Sequence, residues 1–350
     1  MVNSESQDTV LIIHPGTLGD VLLALSAIRA LRAAFYDHEI GLIAGTEPAR
    51  VLHACKEIDA SFSLESQALT GLLAGSESIT PVIRSWLDRC GLVIGWMSDP
   101  NQRLSVVLHD IGVPRVIIRS PSICSATHQG DRFLETIQSV VQSQADSRKL
   151  RLPDGIIEQA KSRLVRMGIA ENQPLMLLHP GSGSRHKCSD PSLFGRIVEW
   201  CGQRGITPLV VGGPADDEMM GKLLTACVQR PLVLQHLDLL SIAGVLVHSA
   251  LFIGHDSGLT HLAAALRVPT IALFGPTNPQ RWAPRGSNAM ILTGKACRCE
   301  GWSVVQLCRE KPCLQIPIEQ VISTCSAVLE SRRNVNLSEL HRLVLMKELC

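Results

Sequence analysis

Residues 10–35 read VLIIHPGTLGDVLLALSAIRALRAAF, and residues 175–204 read LMLLHPGSGSRHKCSDPSLFGRIVEWCGQR. Both stretches open on a short apolar strand, Val10–Ile13 in one and Leu175–Leu178 in the other. Both then turn through His-Pro-Gly and enter a helical pattern. In the first, Val21, Leu22, Leu25, Ile28 and Leu31 recur at helical spacing, which predicts one helix from Asp20 to about Phe35. In the second, Leu193, Phe194, Ile197, Val198 and Cys201 do the same over Pro191–Arg204. Strand, loop and helix in this order begin a βαβ unit. Finding that opening twice, half a chain apart in 350 residues, makes two α/β domains the simplest reading.

Further apolar runs fit the same plan. Ile40–Ala44, Leu92–Trp96 and Val116–Arg119 read as strands of the first half. Pro208–Val211, Leu232–Val233, Leu251–Ile253 and Thr270–Phe274 read as strands of the second. They are continuous apolar runs rather than alternating ones, as parallel strands covered by helices on both faces should be. The polar stretch QSQADSRKLRLPDG, followed by a helix over Ile156–Met167, places the boundary near residue 155. The expected division is 1–155, 156–330 and a tail of 331–350, with helices at Ile318–Leu329 and Leu337–Leu349.

Composition narrows the partners. With 33 basic and 32 acidic residues there is no global charge to attract nucleic acid, and none is expected. Aromatic residues are 3% of the chain, so platforms for stacking a sugar are few, and Trp86, Trp96 and Trp282 are the ones to inspect. The most apolar stretch, Leu239–Gly254, is interrupted by Ser and His and is short for a bilayer. The acidic, polar beginning lacks the basic residues and long apolar core of a secretory signal. A cytoplasmic protein is expected, its twelve cysteines mostly reduced.

Three loops fall where ligands bind in open parallel sheets, after the carboxyl ends of strands. HPGTLGD carries Gly16, Thr17, Gly19 and Asp20. HPGSGSRHK carries Ser182, Ser184 and Lys187. GHDSGLTHL carries Asp256, Ser257, Gly258, Leu259 and His261. Small residues, hydroxyls and open helix N-termini suit a phosphate. Taken singly, Asp20, Asp256 and Ser257 are explained equally well as helix caps, and Lys187 as a solvated lysine. GSGSRHK is not a Walker A loop, and no GxGxxG follows the first strand. His255 and His261 lack the spacing of a helical metal pair, so no metal is read there. Cys297, Cys299, Cys308 and Cys313 form C-x-C-x8-C-x4-C, which is not a standard zinc spacing, and the motif does not state their role.

Taken together, IIHPGTLGDVLLALSAIRALR, LMLLHPGSGSRHKCSDPSLFGRIVEWC, LVVGGPADDE and LFIGHDSGLTHLAAALRVPTIALFGPTNPQRWAP resemble successive blocks of glycosyltransferase family 9, the ADP-heptose:lipopolysaccharide heptosyltransferases. The resemblance spans Leu11–Pro284 in family order. It implies an α/β GT-B architecture, two Rossmann-like domains with parallel sheets facing a central cleft. It implies an inverting transferase with no obligatory cofactor or metal, taking its sugar from a nucleotide diphosphate such as ADP-heptose. The acceptor would be a glycolipid or oligosaccharide, and the enzyme could contact the inner face of the cytoplasmic membrane peripherally. By position, Asp20 matches the family's general base, Lys187 the lysine on the donor phosphates and Asp256 the aspartate on the sugar hydroxyls. Ser257, Gly258 and Leu259 match the diphosphate cradle, and His261 the histidine closing that motif. Asp216 stands where the family usually has a ribose-binding glutamate.

Family members acting on a phosphorylated inner core grip it with basic side chains in the first domain. Here no basic residue lies between Lys56 and Arg84, which makes a less phosphorylated saccharide an equal expectation. Arg29, Arg32, Arg103 and Arg132 remain as candidate acceptor contacts. Two other readings compete: a non-catalytic nucleotide or glycan binder on the same fold, and a family 9 transferase with another sugar nucleotide and acceptor. A sugar-nucleotide epimerase would need paired acids acting on the donor alone, and no such pair is found.

Overall fold

The computed structural model describes residues 7–66, 68–120, 127–142, 146 and 148–331. The described fold divides into two compact units. One runs up to Gln159 and takes in Asp238–Gly244 and Gln280–Arg285; the other comprises Ala160–Leu237, Val245–Pro279 and the chain from Gly286. The helix expected at Leu337–Leu349 lies outside the described residues. Among the described residues, no helix is long and apolar enough to cross a membrane.

The first unit holds a five-stranded sheet of β1 (Thr9–Ile13), β2 (Glu39–Ala44), β3 (Ala60–Ser63), β4 (Cys90–Gly95) and β5 (Val116–Ile118). All its pairs are parallel, in the order β3-β2-β1-β4-β5. The second unit holds β6 (Leu175–His179), β7 (Thr207–Gly212), β8 (Leu232–Gln235), β9 (Leu251–His255), β10 (Thr270–Phe274) and β11 (Ala289–Thr293). They too are parallel, in the order β11-β10-β9-β6-β7-β8. Both orders are doubly wound, with the direction of winding reversing between β1 and β4 and between β6 and β9. At such a reversal neighbouring loops leave the strand ends on opposite faces, and the crevice between them receives ligands.

The central strands are buried along their whole length, as their unbroken apolar sequences require. In the first unit Leu11, Ile13, Ile43 and Val93 pack with Leu72, Ile83, Leu87, Leu104 and Leu108 from the covering helices. In the second, Met176, Leu178, Ile253 and Leu273 pack with Phe194, Ile197 and Val198 of helix Pro191–Gln203, and with Ile318 and Val321 of the helix over residues 318–331. Each such side chain fully withdrawn from water contributes about 1.5–3 kcal/mol, and the two cores give rigid platforms for the loops above them.

The helix expected over Asp20–Phe35 is two helices, Leu18–Leu23 and Leu25–Ala34. They meet at Ala24, whose N–H is shared between the carbonyls of Asp20 and Val21 while its own carbonyl accepts from Ala27. The bonds to Val21 and from Ala27 span three residues rather than four, which tightens the backbone at this turn. The edge strands β3 and β11 extend the sheets beyond the strands read in the sequence.

Candidate functional site

His179 ends β6 in register with Gly254 of β9, so the loops that follow the two strands leave the sheet side by side. Lys187 closes the turn Arg185–Lys187, whose N-cap Ser184 accepts a hydrogen bond from the His186 N–H. From there Lys187 Nζ donates to Asp256 Oδ2 at 2.8 Å. The Thr277 hydroxyl donates to the same oxygen at 2.7 Å, and His261 Nε2 stands 3.9 Å from Oδ1. Burial alone would raise the Asp256 carboxyl. The interaction with His261, the Lys187 charge and the Thr277 hydroxyl outweigh it and hold the group well below the usual carboxylate range.

This arrangement argues against the helix-cap role for Asp256. It precedes the N-cap of helix Gly258–Ala265, and its carboxylate goes to Lys187 and Thr277 rather than to the helix. Ser257 is the N-cap residue by backbone geometry, yet its hydroxyl makes no capping bond. It meets His179 Nδ1 and the Thr260 hydroxyl instead, both at 3.2 Å. The N–H groups of the first helical turn include those of Gly258 and Leu259, and their dipoles favour an anion. Ser182 fastens the neighbouring loop by donating to the Asp256 carbonyl at 2.7 Å.

Beneath the loops His179 acts as a bridge, with Nε2 3.2 Å from Asp216 Oδ2. Asp216 also accepts from the Gly213 N–H at 2.8 Å. Burial pushes this carboxyl up, but the His179 hydrogen bond and charge and the Gly213 and Ser182 N–H groups pull it below its ordinary value. A Cβ on Gly181 would overlap the Asp216 carboxylate, which is why glycine follows Pro180. Asp216 is therefore largely committed to holding the loop. His255 is a buried core histidine: its Nε2 accepts from the Ser189 N–H at 2.9 Å, it packs on Phe194, and burial pushes it down to about 3.

A cavity of about 930 Å³ shares Ser182 and Asp216 with this cluster and continues past Lys222 and Lys311. Lys187, Asp256 and Ser257 lie outside its lining.

In the first unit the other His-Pro-Gly loop uses its histidine differently. His14 Nδ1 accepts from the Gly16 N–H at 3.1 Å, and the ring packs against Trp96 and Phe133. Burial pushes His14 down to about 4. A Cβ on Gly16 would lie 2.6 Å from His14 Cε1 and 2.7 Å from Asp20 Cβ. Thr17 is the N-cap of helix Leu18–Leu23, followed by Gly19, and Asp20 is its third residue. Asp20 Oδ2 accepts from the Thr17 N–H (2.9 Å) and hydroxyl (2.8 Å), and Oδ1 accepts nothing among the described residues. Asp20 thus has the capping role and still keeps one carboxylate oxygen for other chemistry.

Several candidates turn out to be structural. Trp96 is 1% exposed and its indole N–H donates to Thr136, so it offers no sugar a face. Trp86 packs edge-on against Phe62. Trp282 lies under the Arg281 guanidinium. Arg29 is 3% exposed and forks onto Glu57 at 2.6 and 3.0 Å, a buried ion pair rather than an acceptor contact. Arg32 pairs with Asp59 and Arg132 with Glu135, whereas Arg103 is exposed at the start of helix Arg103–Ile111 and is not among the structural ones. Conversely, His179 and Thr277 were not singled out in the sequence. Their signal was position, at the carboxyl end of β6 and shortly after β10.

The family model for glycosyltransferase family 9 (heptosyltransferase) matches residues 134–313. Lipopolysaccharide heptosyltransferase 3 of Escherichia coli is 24% identical over 293 residues, covering 77% of this chain and 84% of that protein. Among solved structures, the glycosyl transferase family 9 protein from Veillonella parvula DSM 2008 superposes with a TM-score of 0.77 at 19% identity, over 93% of this chain and 98% of that one. The E. coli ADP-heptose LPS heptosyltransferase II superposes with a TM-score of 0.73 at 16% identity, over 93% and 99%. At these identities the structures establish a shared fold, the GT-B class of two Rossmann-like α/β units. The matched segment is 180 of 350 residues and contains both Lys187 and the Asp256 loop. The chain belongs to glycosyltransferase family 9, the heptosyltransferase family.

Proposed function

We propose that the protein is an inverting transferase that moves a heptose from ADP-heptose to a hydroxyl of a lipopolysaccharide core or related glycan, with Asp20 as general base. The observation that carries this reading is the Lys187–Asp256 pair set beside the start of helix Gly258–Ala265. A buried carboxylate can accept from sugar hydroxyls, and an ammonium with adjacent free N–H groups can hold a diphosphate. One loop cluster thereby reads both halves of a nucleotide sugar. The names of the relatives support the same donor and acceptor classes: one is a lipopolysaccharide heptosyltransferase, another an ADP-heptose LPS heptosyltransferase.

The chemistry follows from these groups. Inversion requires the acceptor oxygen to attack the anomeric carbon from the face opposite the diphosphate. The acceptor proton passes to Asp20, whose Oδ1 is open. The bond from the anomeric carbon to the phosphate oxygen breaks, and its electron pair leaves on ADP. Lys187 and the helix N-terminus stabilise the charge that grows there. Ser184 offers its hydroxyl on the same loop for the phosphates, Ser182 fastens that loop by donating to the Asp256 carbonyl, and Gly16, Thr17 and Gly19 form the acceptor-side loop around the base. Asp216 acts by fixing the donor loop through His179 and Gly213. On this reading the reaction runs in the cytoplasm, at the inner membrane face where a lipid-linked acceptor would be met. No metal takes part in this scheme.

A screen of nucleotide sugars against core-oligosaccharide acceptors tests the reading. Acceptor-dependent ADP release from ADP-heptose is expected. Turnover of a different sugar nucleotide would replace the donor, and binding without turnover of any would replace the transferase with a binder.

A further inference from the structure

After β11 the chain has little regular structure: between Gly294 and Pro317 only helix Trp302–Leu307 and the turn Pro312–Leu314 form. Its two ends are nevertheless tied together. The N–H groups of Gly294 and Lys295 donate to the carbonyls of Cys313 and Pro312 at 2.9 and 3.1 Å. The Pro312 carbonyl occupies the space a Cβ on Gly294 would need. Four thiols converge at this junction. The sulfurs of Cys297, Cys299 and Cys308 all lie within 4.8 Å of one another, with Cys297 Sγ 2.9 Å from Cys299 Sγ. Cys297 is also within hydrogen-bonding reach of Cys308 and of the buried Cys313.

A thiol is a weak donor and a weak acceptor, so hydrogen bonding gives little reason to gather four of them. Apolar packing does not explain them either. Cys201 and Cys325 lie in the aliphatic core, whereas Cys297, Cys299 and Cys308 are only half-buried and Cys313 alone of the four is buried. A module of two dozen residues with almost no core of its own needs a staple. Three sulfurs within 4.8 Å of one another, with Cys313 in reach of Cys297, supply the ligand types of a tetrahedral soft divalent ion.

We propose that Cys297, Cys299, Cys308 and Cys313 form a thiolate site for one tetrahedral divalent metal ion, Zn²⁺ or Fe²⁺, that holds residues 294–316 together. Binding releases four protons, one from each thiol, and involves no change of oxidation state. The site is distinct from the transfer chemistry, but it reaches the donor loop mechanically. Lys311, between Cys308 and Cys313, donates from Nζ to the carbonyls of Arg185 and Cys188 at 3.0 and 3.4 Å. These carbonyls bracket the turn that carries Lys187. The metal therefore acts as a positioning element for that turn.

The test uses the full chain purified under reducing conditions without chelator. Elemental analysis should find one zinc or iron per chain. After stripping, Co²⁺ should bind stoichiometrically and give thiolate-to-metal charge-transfer absorption with the strong visible bands of a tetrahedral site. Cys299→Ser and Cys308→Ser should each weaken metal binding by more than the roughly 10–100-fold that even outer-shell changes cost. Cys227→Ser, a thiol outside the cluster, should leave it unchanged. Because a serine variant can misfold for its own reasons, the cobalt titration of the unmodified protein is decisive. Absence of bound metal together with no cobalt charge-transfer band, or disulfides joining these four cysteines in the reduced preparation, would overturn the proposal.

Discussion

Replacing Lys187 with methionine keeps an unbranched side chain of nearly the same length and removes its charge and its hydrogen-bond donors. In the folded protein that leaves Asp256, whose side chain is 8% exposed, without its cation. Breaking a buried ion pair costs about 3–5 kcal/mol. Lys187 is 25% exposed and the Thr277 hydroxyl stays on Oδ2, so the expected loss of stability is nearer about 1–3 kcal/mol. The sign with pH is fixed by the depressed Asp256 carboxyl. Its stabilising effect is present above the unfolded value near pH 4 and is lost as pH falls further. The deficit of Lys187→Met is therefore largest at neutral pH and shrinks on acidification. Binding responds separately. A charge-assisted hydrogen bond to a phosphate contributes about 1.5–3 kcal/mol, so ADP should bind roughly 10–150-fold more weakly. Titration calorimetry with ADP reads the affinity, and urea unfolding reads the stability. The double variant Lys187→Met/Asp256→Asn separates the two effects, because neutralising both partners should restore most of the stability and none of the ADP affinity. An unchanged ADP affinity in a folded Lys187→Met protein would refute the phosphate role. Recovery of ADP affinity in the double variant would show that Lys187 acts only by pairing with Asp256.

Three further outcomes are expected. Gly181→Ala places a methyl on the Asp216 carboxylate, so the loop must shift; a destabilisation of about 1–3 kcal/mol, read by thermal unfolding, should accompany weaker donor binding. Gly16→Ala crowds His14 and Asp20 instead, and should lower kcat while leaving donor affinity intact; equal kcat would separate the Gly16 loop from the chemistry. His14 and His255 are held at about 4 and about 3 in the folded state, so the unfolded chain binds their protons first and stability falls as pH drops below about 6.5. Each should remove about 2 kcal/mol between pH 6.5 and 5, and a flat urea midpoint across that range would contradict their burial as neutral rings.

The parts of the fold that were legible in the sequence are those with a strong local signature. Val10–Ile13 and Leu175–Leu178 are buried on both faces, so their runs are uninterrupted and easily recognised. β3 reads Ala-Ser-Phe-Ser at a sheet edge and is half exposed, so no such run marks it. The turn at Ala24 carries no glycine or proline, and the apolar spacing passes through it without a break. Asp238–Gly244 and Gln280–Arg285 count with the first unit although the chain around them belongs to the second. Such membership depends on tertiary packing, which local pattern does not encode. The same limit applies to the site. Lys187 and Asp256 stood out by residue type in small-residue loops, but their contact spans 69 positions and follows only from the adjacency of β6 and β9. Trp96 failed as a sugar platform for a related reason, since a tryptophan after a buried strand is more readily core than surface.

The central claim is sugar transfer with Asp20 as the base, and one comparison tests it most directly. ADP release from ADP-heptose in the presence of acceptor is measured for the wild type and for Asp20→Asn, with donor affinity measured on both proteins. Loss of general-base catalysis predicts a fall in kcat of about 10²–10⁴ with the donor dissociation constant unchanged. Equal turnover by the two proteins would contradict it.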